Sequence, residues 1–203
     1  MQYKTQGEMI ASVLRKRICM MQSDTRDIIL HEGLIATEFG VSRTPIRQVL
    51  QKLAHERLVE TRTGVGTVVP PLRPESKARE IEVLRLLFQV AAETSGDGMT
   101  PPEFFDRLIA VSAVSAHTQP DAQGYLDTRV SLLEITTDVA PDKILADAIR
   151  AAHWRHIRWR MSEHAWANGT YFSDLISMLK ACTSKGRGLT LSSFFSCLAE
   201  APL

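Results

Sequence analysis

"GVSRTPIRQVLQKL" (residues 40–53) sets two arginines and a threonine at the front of a segment that only then turns apolar. Ile46, Val49, Leu50 and Leu53 recur at the three- and four-residue intervals that share one face of a helix. Ser42 is a fitting N-cap, and Pro45 is tolerated in the first turn. The helix therefore opens on Ser42, Arg43, Thr44, Arg47 and Gln48, and its apolar anchors run from Ile46 onward. A recognition helix needs this polarity, because it enters the major groove N-terminus first and is held to its own domain by its later face. Arg43 and Arg47 lie one turn apart, and arginine suits bidentate contact with guanine or phosphate. The helix start adds backbone N–H donors and the positive end of the dipole. Taken alone, the stretch is also compatible with a solvated helix start.

The flanks decide between the two. Upstream, Met9, Ile10, Val13, Leu14 and Ile18 have helical spacing, "IIL" (28–30) reads as a short strand, and "HEGLIATEFG" (31–40) reads as a short helix closed by Gly40. Downstream, "RLVETRTGVGTVVP" (57–70) holds two β-prone runs, Leu58–Thr61 and Thr67–Val69, about a glycine-containing turn. Helix, strand, helix, turn, helix, hairpin is the order of a winged helix-turn-helix. The hairpin tip, with Arg62 and Gly66, would be the wing, its glycines allowing close backbone approach to an adjacent groove.

Beyond it "PPLRPES" (70–76) breaks helix and strand and reads as a linker. Helical candidates follow at about 76–93, 101–116, 121–138, 141–165, 171–184 and 188–199, with no convincing strand between them. The expected fold is mostly α: a winged helix-turn-helix with a small β-hairpin over residues 1–72, then an all-α antiparallel bundle over 76–203. Charge divides at the same place. Residues 1–73 hold 11 Lys+Arg against 7 Asp+Glu, while the remainder hold 13 against 16. A basic front and an acidic back suit an anion-binding module joined to something else. With 44% hydrophobic and 23% charged residues the 203-residue chain has a globular composition. No apolar run approaches bilayer length, and "MQYKTQGEM" lacks a signal peptide's hydrophobic region, so the cytoplasm is the expected compartment. Cys19, Cys182 and Cys197 show neither disulfide-framework nor zinc-ribbon spacing.

"LHEGLIATEFGVSRTPIRQVLQKLAHERLVETRTGVGTVV" resembles the N-terminal domain of GntR-type bacterial transcription regulators. That family's motif runs approximately L-x-E-x-x-L-A-x-x-x-G-V-S-R-x-P-V-R-x-A-L-x-x-L-x-x-E-G-L-V before a glycine-containing wing. Leu30, Glu32, Ala36, Gly40, Val41, Ser42, Arg43, Pro45, Arg47, Leu50, Leu53, Leu58 and Val59 match it. The resemblance implies DNA contacts from Arg43, Thr44 and Arg47 and from Gly66 in the wing. Gly33 stands where many members carry an arginine, and Gln48 where glutamate is common, so one contact is expected to be missing and half-site preference altered.

The helical half resembles the FadR-like subgroup, more in topology than in motifs. That resemblance puts Arg85 at the position of an arginine facing an effector cavity. Many of the subgroup bind a divalent metal there through one Asp and three His. Here Asp127 takes the Asp position, while Ser131, Asp174 and Ser196 stand where histidines belong. Transition metals call for imidazole or thiolate donors, so the reading is a cavity without metal or other cofactor; a hard-cation site or a different register are the alternatives. His153, His156 and His164 lie amid Arg and Trp, where a surface or dimer-facing belt is expected rather than a metal site, and Trp154, Trp159 and Trp166 are expected to pack. No nucleophile-elbow, P-loop or dinucleotide fingerprint is present, so an enzyme is not expected. The function expected is a homodimeric transcription regulator, of the repressor type, binding palindromic double-stranded operator DNA and no membrane. Its effector would be a small molecule, an organic acid held by Arg85, Asp127, Ser131 and Asp174. The rival keeps the winged domain and makes the helical half only an oligomerisation or interaction module.

Overall fold

The computed structural model describes residues 5–21, 26–96, 100–167 and 169–203. The chain divides into two compact units between Lys77 and Ala78. In the first, α1 (Gln6–Met20) begins where Thr5 Oγ1 accepts from the Glu8 N–H, and it buries Ile10, Leu14 and Ile18. β1 (Ile28–Leu30) leads to α2 (Glu32–Phe39), which Gly40 ends at φ 64°, in the left-handed region where a side chain is costly. α3 (Arg43–His55) buries Ile46, Val49, Leu50 and Leu53. Ser42 holds the N-cap position of α3, but its hydroxyl makes no capping bond.

The end of α3 is less usual. Arg57 takes φ 60° and lets the Leu58 N–H reach the Leu53 carbonyl at 3.0 Å, the closing bond of a Schellman turn without its glycine. Leu58 and Val59 then enter the core ahead of β2 (Glu60–Arg62) and β3 (Gly66–Val69). The sheet order is β1-β3-β2, antiparallel throughout, with Ile28 opposite Val69 and Arg62 opposite Gly66. Inside this unit Arg15 of α1 forks onto Glu56 through Nε and Nη2, each 2.7 Å from a carboxylate oxygen, with both side chains largely buried. Arg17 likewise pairs Glu38 at the end of α2.

After a 3-10 turn at Pro74–Ser76, six α-helices follow among the described residues. They are α4 (Lys77–Thr94), α5 (Pro102–His117), α6 (Ala122–Asp138), α7 (Lys143–Ser162), α8 (Gly169–Ser184) and α9 (Leu191–Glu200). Three start on side-chain caps: Asp121 accepts from Gly124 N–H, Asp142 from Ile144 and Leu145, and Thr190 from Ser193. α5 packs on α6 and α8, α6 on α7, and α8 on α9. The architecture is thus a winged helix-turn-helix with a three-stranded antiparallel sheet, followed by an all-helical unit. α7 stops three residues short of the expected 165, because His164 takes φ 53° and the Ala165 N–H closes on the Arg160 carbonyl at 3.0 Å.

One expectation about α7 is overturned. His153 and His156 are each 1% exposed and Arg158 and Arg160 are buried, so these residues form no surface belt. The C-terminal half of α7 is buried almost all round, and some of its polar side chains find partners there. Arg160 stacks on the Tyr171 ring at 4.0 Å, and Trp159 Nε1 donates to Glu80 of α4 at 2.8 Å. Of the three histidines only His164 is exposed, beside Trp166.

Candidate nucleic-acid interface and the helical cavity

α3 has two faces. Ile46, Val49, Leu50 and Leu53 hold it to the core, while Ser42, Arg43, Thr44, Arg47 and Gln48 are all exposed. All five side chains come from the first two turns, on the side where the dipole favours an anion. Arg43 makes no hydrogen bond or ion pair among the described residues. Its guanidinium lies over Gly33 of α2, where an added Cβ would stand 3.3 Å from Nη2. Gly33 does more than omit a contact: it opens the space that the Arg43 head occupies. Arg47 is held differently, its Nε donating to Glu32 Oε2 at 2.7 Å. A carboxylate in that place orients the guanidinium while leaving most of it in solvent.

The wing tip turns on Gly64 at φ 77° and Gly66 at φ 107°, and nothing lies within 4 Å of where a Cβ would be on either. The Val65 N–H closes the turn on the Arg62 carbonyl at 3.1 Å. Arg62 itself is engaged twice, by Asp27 and by Glu60 at 2.9 Å. The hydrogen bonds it donates to Glu60 and Asp27 raise its pKa further. The expected contact residues therefore come in two groups. Arg43, Thr44 and Gln48 are presented freely, and Arg47 and Arg62 are presented through acidic partners.

In the helical unit the expected effector residues do not share one cavity. Asp127 and Ser131 face a groove between α5 and α6 with Val114 and Thr118, and Asp127 accepts from Gln123 Nε2 at 2.8 Å. Arg85 lies on α4 beside Glu82, 3.6 Å away. Asp174 alone lines the interior cavity, with Phe88, Arg129, Leu132, His153 and Met178. Its volume is about 10 Å³, room for about one water. Arg129 is 3% exposed and donates from Nε to the Tyr125 hydroxyl at 3.0 Å. Neither ring nitrogen of His153 has a hydrogen-bond partner among the described residues. Burial, and then the Arg129 charge, push the His153 pKa from 6.5 down to about 3, so the imidazole is neutral at physiological pH. Among the described residues no group of three His, Cys, Asp or Glu side chains is placed to hold a metal.

Sequence reasoning passed over Arg129, though a signal was there. Tyr125, Arg129, Leu132 and Thr136 fall at i, i+4, i+7 and i+11, an inward stripe with an arginine in an apolar position.

A winged helix-turn-helix whose third helix exposes two arginines, in a chain that also holds a helical unit with a small, mostly apolar cavity, defines the class of winged-helix proteins with a second, helical unit. More particularly, residues 7–69 match the family model described as "Bacterial regulatory proteins, gntR family", so the first unit is a GntR-type winged helix. The chain is 41% identical over 85 residues to the gluconate operon transcriptional repressor of Bacillus subtilis (strain 168), covering 41% of this chain and 33% of that one. It is 35% identical over 69 residues to the mannosyl-D-glycerate transport/metabolism system repressor MngR of Escherichia coli (strain K12), covering 34% and 29%. These relatives are transcriptional repressors, not enzymes, and the matches span about a third of their length. Likeness in fold extends further. Escherichia coli McbR/YncC superposes with TM-score 0.68 at 16% identity over 98% of this chain and 93% of that one. A transcriptional regulator GntR from Rhodococcus sp. RHA1 gives 0.60 at 17% identity, covering 97% and 95%. No described helix is long and apolar enough to cross a membrane.

Proposed function

We propose that the protein is a cytoplasmic, homodimeric transcription regulator of the FadR-like kind, which represses by binding palindromic operator DNA and is controlled by a small organic acid in its helical unit. The observation that carries the DNA-binding part is the two-faced α3, with Arg43, Thr44, Arg47 and Gln48 exposed ahead of a buried apolar stripe. Two copies are needed because a palindrome offers two half-sites about one helical turn apart. Selection of full-length protein against a random duplex pool tests the reading. A two-fold symmetric motif is expected, and enrichment without any common sequence would overturn it.

For the effector, the role first given to Arg85 passes to Arg129. A buried guanidinium beside an unpartnered His153 can receive a carboxylate, with neutral imidazole as a further donor. Binding there would bias the arrangement of the two winged units, and a small rigid-body change alters the fit to both half-sites together. The rival reading, a helical unit serving only oligomerisation, is favoured by the 10 Å³ volume, which an organic acid would have to enlarge. A thermal-shift screen of metabolite acids, with and without chelator, separates the two. A ligand raises the melting temperature by mass action, and that gain should disappear in Arg129→Met. No gain with any acid would leave the oligomerisation module standing.

A further inference from the structure

Cys182 of α8 and Cys197 of α9 are fifteen positions apart in sequence, yet their Sγ atoms lie 3.0 Å apart. A disulfide has an S–S bond of about 2.05 Å, so closing one here needs an approach of about one ångström between two helices already in contact. The two thiols are not alike. Cys182 is fully buried, whereas Cys197 is partly accessible. The hydrogen bond from the Cys182 thiol, with the nearby Lys185 ammonium, favours the thiolate of Cys197; the same bond and burial keep Cys182 protonated. An accessible attacking sulfur backed by a buried resolving sulfur is the arrangement that redox-sensing thiols use.

We propose that Cys182 and Cys197 form a reversible disulfide on exposure to peroxide, tying α8 to α9 beside the interior cavity. The chemistry balances with hydrogen peroxide as oxidant. The Cys197 thiolate attacks one peroxide oxygen, the O–O bond breaks, and hydroxide leaves, giving a sulfenic acid. The Cys182 sulfur then attacks the Cys197 sulfur, the S–O bond breaks, and the departing hydroxide takes the Cys182 proton. Two thiols and one peroxide become one disulfide and two waters, and a thiol reductant reverses the change.

The position gives the bond something to act on. The Met178 Sδ is 4.0 Å from Cys182 Sγ, and both Met178 and Leu198, next to Cys197, line the cavity with Arg129 and His153. A bridge between α8 and α9 therefore fixes two of the cavity's walls. This consequence rests on the effector reading above; formation of the bond does not.

The test uses reduced full-length protein, stoichiometric to tenfold hydrogen peroxide at pH 7, and a tryptic digest without reductant. Cleavage after Lys180, Lys185 and Arg187 puts the two cysteines on separate peptides, 181–185 and 188–203. The expected result is those peptides joined, with Cys19 unmodified and the link removed by dithiothreitol. Cys197→Ser should slow thiol loss by about tenfold, reflecting the lost thiolate. Cys182→Ser should leave a Cys197 sulfenic acid that dimedone traps. Absence of the joined peptide in wild-type protein, or equally fast loss of thiol in Cys197→Ser, would overturn the proposal. Neither result depends on what the cavity binds, so the effector reading stands or falls separately.

Discussion

Arg43 and Arg47 lie one turn apart on α3 but are not equivalent. Arg47 brings Glu32 with it, whereas Arg43 rests over Gly33 without a partner. Arg43→Ala should weaken operator binding by about 1–3 kcal/mol if it reads a base, or lower the salt slope by about 1 if it contacts phosphate. Fluorescence anisotropy on the selected operator, at several salt concentrations, distinguishes these; binding like the parent at matched salt would remove Arg43 from the interface. Gly33→Ala should give a smaller loss with the fold intact, since its Cβ displaces only the far end of a flexible side chain. His153 supplies a second residue-scale expectation. Its folded pKa of about 3 lies below the ordinary 6.5, so as pH falls the unfolded chain takes up the proton first. Stability from this residue is intact above pH 6.5 and is lost between 6.5 and 3, at roughly 1.4 kcal/mol per pH unit. Urea midpoints at pH 7 and pH 4.5 should therefore converge in His153→Leu relative to wild type; an unchanged gap would mean that His153 is protonated in the fold.

The end of α3 shows what one helix terminus controls. Arg57 stands where the family motif has glycine, and it takes the left-handed conformation all the same. That conformation costs a non-glycine residue about 1 kcal/mol or more, partly offset by glycine's greater freedom when unfolded. Arg57→Gly should thus raise stability by a few tenths to about 1 kcal/mol, read as a higher denaturation midpoint, and a lower midpoint would refute the strain. One residue earlier, Glu56→Ala would take from the largely buried Arg15 the carboxylate it forks onto, at a cost of about 1–3 kcal/mol; a loss below about 1 kcal/mol would show that the pair is not the tie between α1 and α3. Elements whose signals are local were legible in the sequence. Gly40 ends α2 in the left-handed region, "IIL" is β1 residue for residue, and the helices of the second unit lie close to their expected spans. What was not legible needed the third dimension. The periodicity of α7 does not announce a helix buried nearly all round, so the surface or dimer-facing belt expected of His153 and His156 is not what forms. The register that turns Arg129 inward and Asp127 outward rests on which face of α6 meets α7. Cys182 and Cys197 meet only because α8 folds back on α9.

At the scale of the whole molecule, the two units divide the chemistry: the winged unit carries the exposed arginines of α3 and the helical unit carries the cavity. The N-terminal 73 residues have a charge balance of +4 and the rest −3, so on the proposed function attraction to DNA belongs to the first part. The winged unit holds its own core, a three-stranded sheet and the Arg15–Glu56 pair, so it has what it needs to fold alone. A fragment of residues 1–77 should therefore keep its circular dichroism and bind a single half-site as a monomer. On the full palindrome it should bind about 10²–10⁴-fold more weakly than the whole protein, because linkage converts the second half-site contact into an intramolecular one. Sedimentation of the full chain should give a dimer. Fusing the fragment to an unrelated dimeric coiled coil with a flexible linker should recover much of the lost affinity while abolishing any response to acid ligands. Monomeric fragment that grips the palindrome as tightly as the full chain would show that the helical unit contributes nothing to operator binding. A fused fragment that still answered to ligand would place the effector site in the winged unit, away from Arg129 and His153.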